Sequence, residues 1–574
     1  MQNEAVARLL ENIAAALQLK AENIFRIRAY EEAARNIRFL KEDIAENWRQ
    51  GRLTEVPGIG TSIAQKIGEF LQTGKSAYLQ ELCDGYPVAF LELLKIPGIG
   101  PRRAKLLYDH FHVTKLDDLA DLARRQQIRQ IRGMGPKTEE QLSRELARLG
   151  QRTQRLPLGI AWPLAERIAS LLRNSPAVGQ AEPAGSIRRR LETIGDIDIL
   201  VASDRFAEIR KLIADLPLTK EILASGSTKI TFLTAEDFQV DIRIVPQESW
   251  GAALQYFTGS KEHNVALREL AVQKGYKLSE YGIFEVESGR KVGGRTEAEV
   301  YELLGLTPIP PELREKRGEI AAAAAGSLPR LITLADVKGD FHVHSNYSDG
   351  NSSIAAMVES AIAHGYQYLA ITDHSIGLGI ARGINQEKAW RQWEEIRRLN
   401  KQYAPFRILS GVELEVRATG ELDLSEELLA GFDFICASVH SGTRSDAERI
   451  TKRMGSALRQ HWVHVLNHPG GRLLNQRPPY EYHLDQLLQT AKETGKALEI
   501  NGSYLRMDLD DSSARKAKEQ GVLLSLGSDA HSVAGLDAMQ LAVAIARRAW
   551  LEPADVLNTL PLAELLQWLE REKL

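Results

Sequence analysis

The chain has 574 residues, of which 44% are apolar and 26% charged, and its net charge is −3. That length calls for several domains, and the composition is that of an ordinary soluble globular protein, not a disordered, collagenous or disulfide-scaffolded one. No run of about 18 apolar residues exists, so no membrane span is expected. Cys83 and Cys436 are the only cysteines, which fits a reducing cytoplasm.

The start, MQNEAVARLLENIAAALQLK, has the 3.6-residue rhythm of an amphipathic helix and lacks the layout of a secretory signal. Residues 1–150 read as helices broken by glycine turns. VPGIGTSIAQKI (56–67) and IPGIGPRRAKLL (96–107) are near repeats, and IRGMGPKTEEQL (131–142) is a weaker third. Each pairs glycines (Gly58 and Gly60, Gly98 and Gly100, Gly133 and Gly135) ahead of a helix start. Such turns let the backbone bend tightly, and the free N–H groups that follow can hold a phosphate oxygen. Residues 101–190 carry 18 basic against 9 acidic side chains, a local basic surface suited to a polyanion. These segments resemble helix-hairpin-helix motifs, which bind DNA without reading its sequence. The stretches NIFRIRAYEEAA (23–34) and PGIGTSIAQKIGEF (57–70) resemble the amino-terminal domain of the DNA polymerase beta family. That resemblance implies that Lys66 matches a lysine that forms a Schiff base with an abasic sugar. The family's two other phosphate-pocket lysines fall on Arg26 and Ser62 here, a loss of one positive charge.

Residues 156–320 mix strands and helices. AGSIRRRLETIGDIDILV (184–201) ends in an expected strand with Asp196 and Asp198 on one face, and QVDIRIV (239–245) supplies Asp241 on an expected neighbour. Three converging carboxylates need cations. Two divalent ions about 4 Å apart can activate a 3′-hydroxyl and stabilise a leaving pyrophosphate. Gly185-Ser186 lies upstream, with Arg188 to Arg190 beside it, and that turn can cradle a triphosphate and neutralise it. The pattern resembles the nucleotidyltransferase superfamily. YFTGSKEHNVALRELA (256–271) resembles the nucleotide-facing segment of family X DNA polymerases. The resemblance implies that Tyr256 and Phe257 press on the incoming sugar beside Gly259, that Asn264 touches the minor-groove edge of the base, and that Arg268 meets the template side. It also implies triphosphate contacts at Ser186, Arg189 and Gly195.

LTPIPPELREKRGEIAAAAAGSLPR (306–330) reads as a Pro- and Ala-rich linker with one short helix. After it come seven short apolar runs alternating with amphipathic helices, the pattern of parallel β/α units closed as a barrel. Ten of the 13 histidines lie after residue 335. Strand ends offer His342, His344, His374, Glu413, His440, His468, Asp529 and His531, and Asp349 follows the first strand; the active sites of such barrels sit at this C-terminal edge. His364, His461, His464 and His483 lie off the pattern. Nine ligands are too many for one tetrahedral ion and suit two or three, and their mixed imidazole and carboxylate character favours Mn²⁺, Zn²⁺ or Fe²⁺ over Mg²⁺. Such ions lower the pKa of a bound water toward about 7, which makes a nucleophile for phosphoester hydrolysis. Asp373 is expected to support the ligands or the fold. The segment resembles the PHP (polymerase and histidinol phosphatase) superfamily, which implies a distorted seven-stranded barrel holding three ions.

Over nearly its whole length the chain resembles bacterial family X DNA polymerases. The resemblance implies a multidomain α+β and α/β fold: a helix-hairpin-helix lyase-like domain (1–84), a helical DNA-binding subdomain (85–155), a nucleotidyltransferase palm (156–250), a small nucleotide-selecting subdomain or thumb (251–320), a linker (321–335) and a distorted (β/α)7 PHP barrel (336–574). It implies a cytoplasmic, monomeric repair enzyme that fills short gaps in gapped or 3′-recessed DNA from deoxynucleoside triphosphates. Mg²⁺ or Mn²⁺ would serve the polymerase site, and Mn²⁺, Zn²⁺ or Fe²⁺ the barrel. The barrel would act as a 3′→5′ exonuclease, with abasic endonuclease and 3′-phosphatase activities as further expectations. Two other readings stand beside this one: a nucleotidyltransferase fused to a small-molecule phosphatase, and a DNA-end binding scaffold with silent sites.

Overall fold

Apolar residues at Leu10, Ile13 and Leu17 recur on one face of the helix Asn3–Leu19, and all are fully buried. They pack with Ala33, Ile37 and Ile67 in the core of a unit, Met1–Gln154, whose elements among the described residues are all helices. The computed structural model describes residues 3–20, 22–38, 43–56, 58–83, 85–87, 90–91, 93, 99, 101–114, 116–131, 133–136, 138–140, 142–143, 155–235, 238–377, 383–442 and 445–571. Gly58 takes a left-handed φ of +81°, and Gly60 then caps the helix Thr61–Thr73 in an extended conformation. The third turn repeats this with Gly133 at φ +92°, and Gly135 O accepts from Glu139 N at 3.1 Å as the next helix starts. Gly98 and Gly100 of the middle turn lie outside the described residues; the helix Pro101–Phe111 follows them.

The second unit, Arg155–Leu574, holds two sheets that matter for function. In the palm, five strands run in the order Gln180–Pro183, Ile197–Ala202, Gln239–Val245, Lys229–Thr234, Thr219–Ser225. The two middle strands of the site are parallel and in a register that sets Asp198 directly opposite Asp241. The helix Leu158–Arg173 covers this sheet with Ala161, Ala165, Ile168 and Leu172 buried. The thumb follows, with the helices Trp250–Thr258 and Lys261–Gln273 and a three-stranded antiparallel sheet, Tyr276–Ser279, Gly282–Glu285 and Lys291–Gly293.

The segment expected as a linker is no free tether. Leu306, Ile309, Leu313, Ala323 and Leu331 are buried in the thumb core, and Ile332 N donates to Leu551 O at 3.0 Å. Its polar residues are the physical reason. Arg314, 2% exposed, donates from Nε to Ile309 O at 2.9 Å and pairs with Glu297 at 2.5 Å. Glu319, fully buried, faces His263 at 2.7 Å. Pro and Ala enrichment concealed these buried charge pairs.

Seven parallel strands then form the barrel in chain order: Gly339–Val343, Tyr368–Ile371, Arg407–Glu415, Phe434–Ser438, Val465–Leu466, Ala497–Asn501 and Leu524–Gly527. The first and last close on each other as His344 N donates to Ala530 O at 2.8 Å. Between Asp340 and Val343 the pairing register shifts, one source of the distortion. Phe341 and Phe434 stack at 5.0 Å in the interior with Leu409 and Val465, and Leu557, Leu565 and Leu569 join the same cluster. A single core cluster runs from Leu158, Ile199 and Ile242 of the palm into Val343, Val412 and Leu498 of the barrel, so the two share buried apolar surface.

Candidate functional sites for nucleotide joining and phosphoester cleavage

The palm site grows from one strand pair. Asp196 stands just ahead of the strand Ile197–Ala202, Asp198 is its second residue, and Asp241 lies opposite, so that carboxylate oxygens of all three come within 4.8 Å of one another. Burial raises Asp198 to a pKa of about 7, and the charges of Asp196 and Asp241 add to the rise. Such a cluster is a cation site by its chemistry: the carboxylates repel until positive charge arrives. Lys229 Nζ donates to Asp241 Oδ2 at 2.6 Å and Thr231 Oγ1 to Oδ1 at 2.7 Å, which fixes this carboxylate in place. Lys229 and Thr231 drew no attention in the sequence, because an ordinary strand alternation hides them.

The turn beside the triad is tied to it by space. Gly185 has φ +56°, and a Cβ there would lie 2.2 Å from Asp198 Oδ2, so only glycine fits. Ser186 follows in the single helical turn Gly185–Arg188, and Gly195 adjoins Asp196. The three arginines do not act together. Arg188 binds both oxygens of Glu297 at 2.7 Å, and Arg190 lies over Trp162 at 3.2 Å from the ring centre. Arg189 donates from Nε to Glu315 at 3.0 Å and from Nη1 to the carbonyl of Thr258. Each arginine of the run thus has its own partner within the fold, Glu297 for Arg188, Glu315 and the Thr258 carbonyl for Arg189, and the Trp162 ring for Arg190.

Tyr256 and Phe257 lie on the helix Trp250–Thr258, half-buried and edge-on at 5.2 Å. Gly259 follows with φ +72°, and Arg189 Nη1 lies 2.9 Å from where its Cβ would be. Asn264 is 8% exposed; it accepts from Gln255 and donates to Tyr256 O, both at 2.7 Å, so it holds the end of that helix. Arg268 is exposed on the next helix.

In the barrel all nine candidate ligands converge. They form four overlapping groups: His344, Asp349, His374 and His531; His342, Glu413 and His468; His342, His344 and Asp529; and His374, Glu413 and His440. Glu413 is the hub. Its Oε2 lies 2.9 Å from His374 Nδ1 and 3.4 Å from His342 Nε2, and its Oε1 3.1 Å from His468 Nε2 and 3.6 Å from His440 Nε2. Both ring nitrogens of His344, Nδ1 of His374 and of His468, and Oε2 of Glu413 are buried with no hydrogen-bond partner. Unpaired buried polar atoms are costly, and their gathering around one centre fits divalent ions. Burial first, then neighbouring positive charge, pulls His344 down to about 3 and His468 to about 4, which keeps both in the neutral, ligating form. The ions expected from the sequence therefore fit the side chains present.

Several supporting residues escaped the sequence reading. Glu499 lies 2.6 Å from His342 Nδ1 and accepts from His468 N at 2.7 Å. Glu415 lies 2.9 Å from His440 Nδ1 and accepts from Ser441 Oγ at 2.5 Å. Arg506 Nε lies 3.2 Å from Asp529 Oδ2. A carboxylate inside an apolar strand, as in ALEIN, was the signal that could have found Glu499. Asp373 accepts from Ser345 N at 2.8 Å, Ser348 Oγ at 2.5 Å and Gln392 Nε2 at 2.8 Å, and so fixes the loop that leads to Asp349. His364, His461, His464 and His483 belong to none of the clusters.

In the helical unit, Lys66 Nζ donates to Ser62 Oγ at 3.0 Å and lies 4.4 Å from the centre of the Tyr78 ring, whose hydroxyl accepts from Arg26 at 2.7 Å. Burial, and then the charge of Arg26, lowers the Lys66 pKa.

Four families match parts of the sequence: a helix-hairpin-helix domain over residues 1–76, a SAM-like helix-hairpin-helix tandem over 90–148, the DNA polymerase beta thumb over 253–315 and the PHP domain over 340–503. A probable phosphatase of Thermoanaerobacter sp. (strain X514) is 30% identical over 248 residues, 41% of this chain and 95% of that protein. DNA polymerase lambda of Rattus norvegicus is 27% identical over 291 residues, 45% of this chain and 48% of the polymerase. The DNA polymerase/3′-5′ exonuclease PolX of Bacillus subtilis (strain 168) is 37% identical over 573 residues, 100% of both chains. With both site clusters assembled and this likeness running from end to end, the chain belongs to the PolX family of DNA polymerases with 3′-5′ exonuclease function.

Proposed function

We infer that the protein extends the 3′ end of a DNA primer across short gaps at the palm and removes nucleotides 3′→5′ at the barrel. The observation that carries this reading is the presence, in one unit, of two separate clusters: Asp196, Asp198 and Asp241 beside a glycine turn, and the nine-residue barrel set. We assign 1–84 to a lyase-like domain, 85–155 to duplex binding, 156–250 to the palm, 251–320 to nucleotide selection and 336–574 to hydrolysis. The family matches and the packed 306–335 segment support this division, with the reserve that 321–335 is built into the fold.

Mg²⁺ or Mn²⁺ at the palm, and Mn²⁺, Zn²⁺ or Fe²⁺ in the barrel, would supply positive charge for a 3′-hydroxyl and pyrophosphate at the first site and an activated water at the second. At the palm, the chain's own work is to hold Asp241 through Lys229 and Thr231 and to keep the Gly185-Ser186 turn open for the triphosphate. We assign Arg189, Gly195 and Gly259 to the triphosphate, and Tyr256 and Phe257 to the exclusion of a 2′-hydroxyl; Gly259 lies against Arg189. At the barrel, Glu499 and Glu415 orient His342 and His440, and Arg506 adds positive charge beside Asp529 to draw in a phosphate. The glycine turns at Gly58, Gly60, Gly133 and Gly135 hold backbone phosphates.

The test is extension and degradation of a labelled gapped duplex with Mg²⁺ or Mn²⁺ by the wild type and by two double variants, Asp196→Ala/Asp198→Ala and His342→Ala/His344→Ala. Loss of one activity in each folded variant is expected, and loss of both in either would sink the two-site division. The likeness to a probable phosphatase favours a second reading for the barrel, hydrolysis of terminal phosphates, including 3′-phosphates. Release of inorganic phosphate from a 3′-phosphorylated primer, abolished by the histidine pair, tests it. Lys66, with a lowered pKa and Arg26 close by, is proposed as a lyase nucleophile. Borohydride trapping on a nicked abasic duplex, absent in Lys66→Ala, is the expected result, and no adduct in the wild type would end that assignment.

A further inference from the structure

The triphosphate turn of the palm is gripped by the barrel. Arg189 is 13% exposed in its side chain, and two acceptors fix its guanidinium plane: Glu315 Oε1 at Nε, 3.0 Å, and the Thr258 carbonyl at Nη1. The first of these has a cost. A carboxylate 3 Å away in a half-buried setting cancels most of the charge a triphosphate would feel from Arg189. The barrel meets that cost. Arg548, the last residue of the helix Met539–Arg548, places Nη1 3.0 Å from the same Glu315 Oε1 and 2.8 Å from the Arg189 carbonyl. On its far side Arg548 Nη2 lies 2.8 Å from Asp511 Oδ2, which also takes Arg317 Nη1 at 3.0 Å. The cluster thus sets three guanidinium groups, Arg189, Arg317 and Arg548, against two carboxylates, Glu315 and Asp511. Its formal net charge is +1, with Arg189 at the end nearest the nucleotide turn. Arg548 is 6% exposed, so it works from inside the interface rather than from solvent.

We propose that Arg548 is a positioning residue for nucleotide binding: by sharing Glu315 with Arg189, it leaves Arg189 fixed yet incompletely neutralised, so that the barrel sets the affinity of the palm for an incoming nucleoside triphosphate. The proposal rests on the reading of Arg189 as a triphosphate contact.

Single-nucleotide insertion kinetics on a gapped duplex test it in the full chain, with exonuclease rate and thermal midpoint as controls. Arg548→Met raises KM for the nucleotide about tenfold, the scale of one charge-assisted contact. It leaves kcat and exonuclease rate within about twofold. Adding Glu315→Gln removes the uncompensated charge while keeping an oxygen for Arg189 Nε, and returns KM to within about twofold of the wild type. An unchanged KM in Arg548→Met, an equal loss of insertion and exonuclease activity, or a double variant no better than the single overturns the proposal. Should Arg548→Met not fold, Glu315→Gln alone decides: an unchanged or lowered KM is expected, and a rise of about tenfold overturns. Arg189→Ala separates the two layers. If it leaves KM unchanged, the triphosphate reading fails; if it raises KM while the Arg548 and Glu315 variants do nothing, only the brace fails.

Discussion

At the palm Asp196 is exposed, Asp198 half-buried and only Asp241 buried, whereas in the barrel His342, His344, Glu413 and His468 are each 2% exposed or less. The palm and thumb also balance their buried charges with cations of their own: Lys229 on Asp241, and Arg188 and Arg314 on Glu297. The barrel has buried imidazole nitrogens and a glutamate oxygen with no hydrogen-bond partner. One centre is therefore open, and its buried carboxylate is already paired by a cation of the chain. In the other, the ligands around Glu413 are buried and leave polar atoms stranded without ions, while Asp349 and His531 reach solvent. The two centres thus differ in ligands, three carboxylates against six imidazoles and three carboxylates, as well as in depth and charge balance, and the expected outcome is a palm that exchanges its ions and a barrel that keeps them.

The largest effects should come from breaking either centre. Asp196→Ala/Asp198→Ala lowers nucleotide insertion by about a thousandfold or more and spares degradation; His342→Ala/His344→Ala does the reverse. Rates on one labelled gapped duplex measure both. Next in size is a change behind the ligands. Asp373 touches no cluster directly but fixes Ser345, Ser348 and Gln392, and Asp373→Ala should cut exonuclease activity by about 10- to 100-fold with insertion unchanged. An exonuclease rate equal to wild type would show that the loop to Asp349 holds without it.

Ion removal sharpens the contrast in stability. After dialysis against a chelator, the thermal midpoint of the wild type should fall by about 5 °C or more, because resident ions bind the folded barrel and not the unfolded chain. His342→Ala/His344→Ala should show a smaller fall, and Asp196→Ala/Asp198→Ala the full one. Metal analysis of the untreated protein should find ions retained, and their absence together with an unmoved midpoint would remove the idea of a resident centre.

Much of this was legible because the chemistry repeats with the fold. Seven apolar runs, six of them ending near a histidine or acid, announce a parallel barrel and its ligand edge together, and Asp198 and Asp241 sit where strand alternation puts them. What failed to show were properties of packing. Glu499 and Glu415 look like stray acids until their strands bring them against His342 and His440. The Pro- and Ala-rich 306–330 run reads as a tether until Arg314 and Glu319 are seen to be buried and paired. Tyr256 and Phe257 lie on a helix, which the resemblance of the segment alone does not specify. Arg548 lies in an unremarkable helical pattern, and its role depends on a partner 233 residues away.

The smallest effect tests whether the palm side stands on its own charges. Burial alone would raise Glu297, but Arg314 and then Arg188 outweigh it and hold its pKa at about 2. A carboxyl depressed in the fold contributes stability that is fully present above its ordinary value of 4.5 and is lost as pH falls toward 2. The size is on the order of 3 kcal/mol, from the displacement of the pKa alone. Glu297→Gln should therefore lower the urea midpoint of the second unit at neutral pH, and the gap to the wild type should narrow steadily between about pH 4.5 and 2. The chelator should leave that gap unchanged, since Glu297 belongs to neither candidate metal cluster. A gap that persisted undiminished at low pH would mean that Gln disturbs packing rather than charge, and that the palm and thumb are not held together in the way their ion pairs suggest.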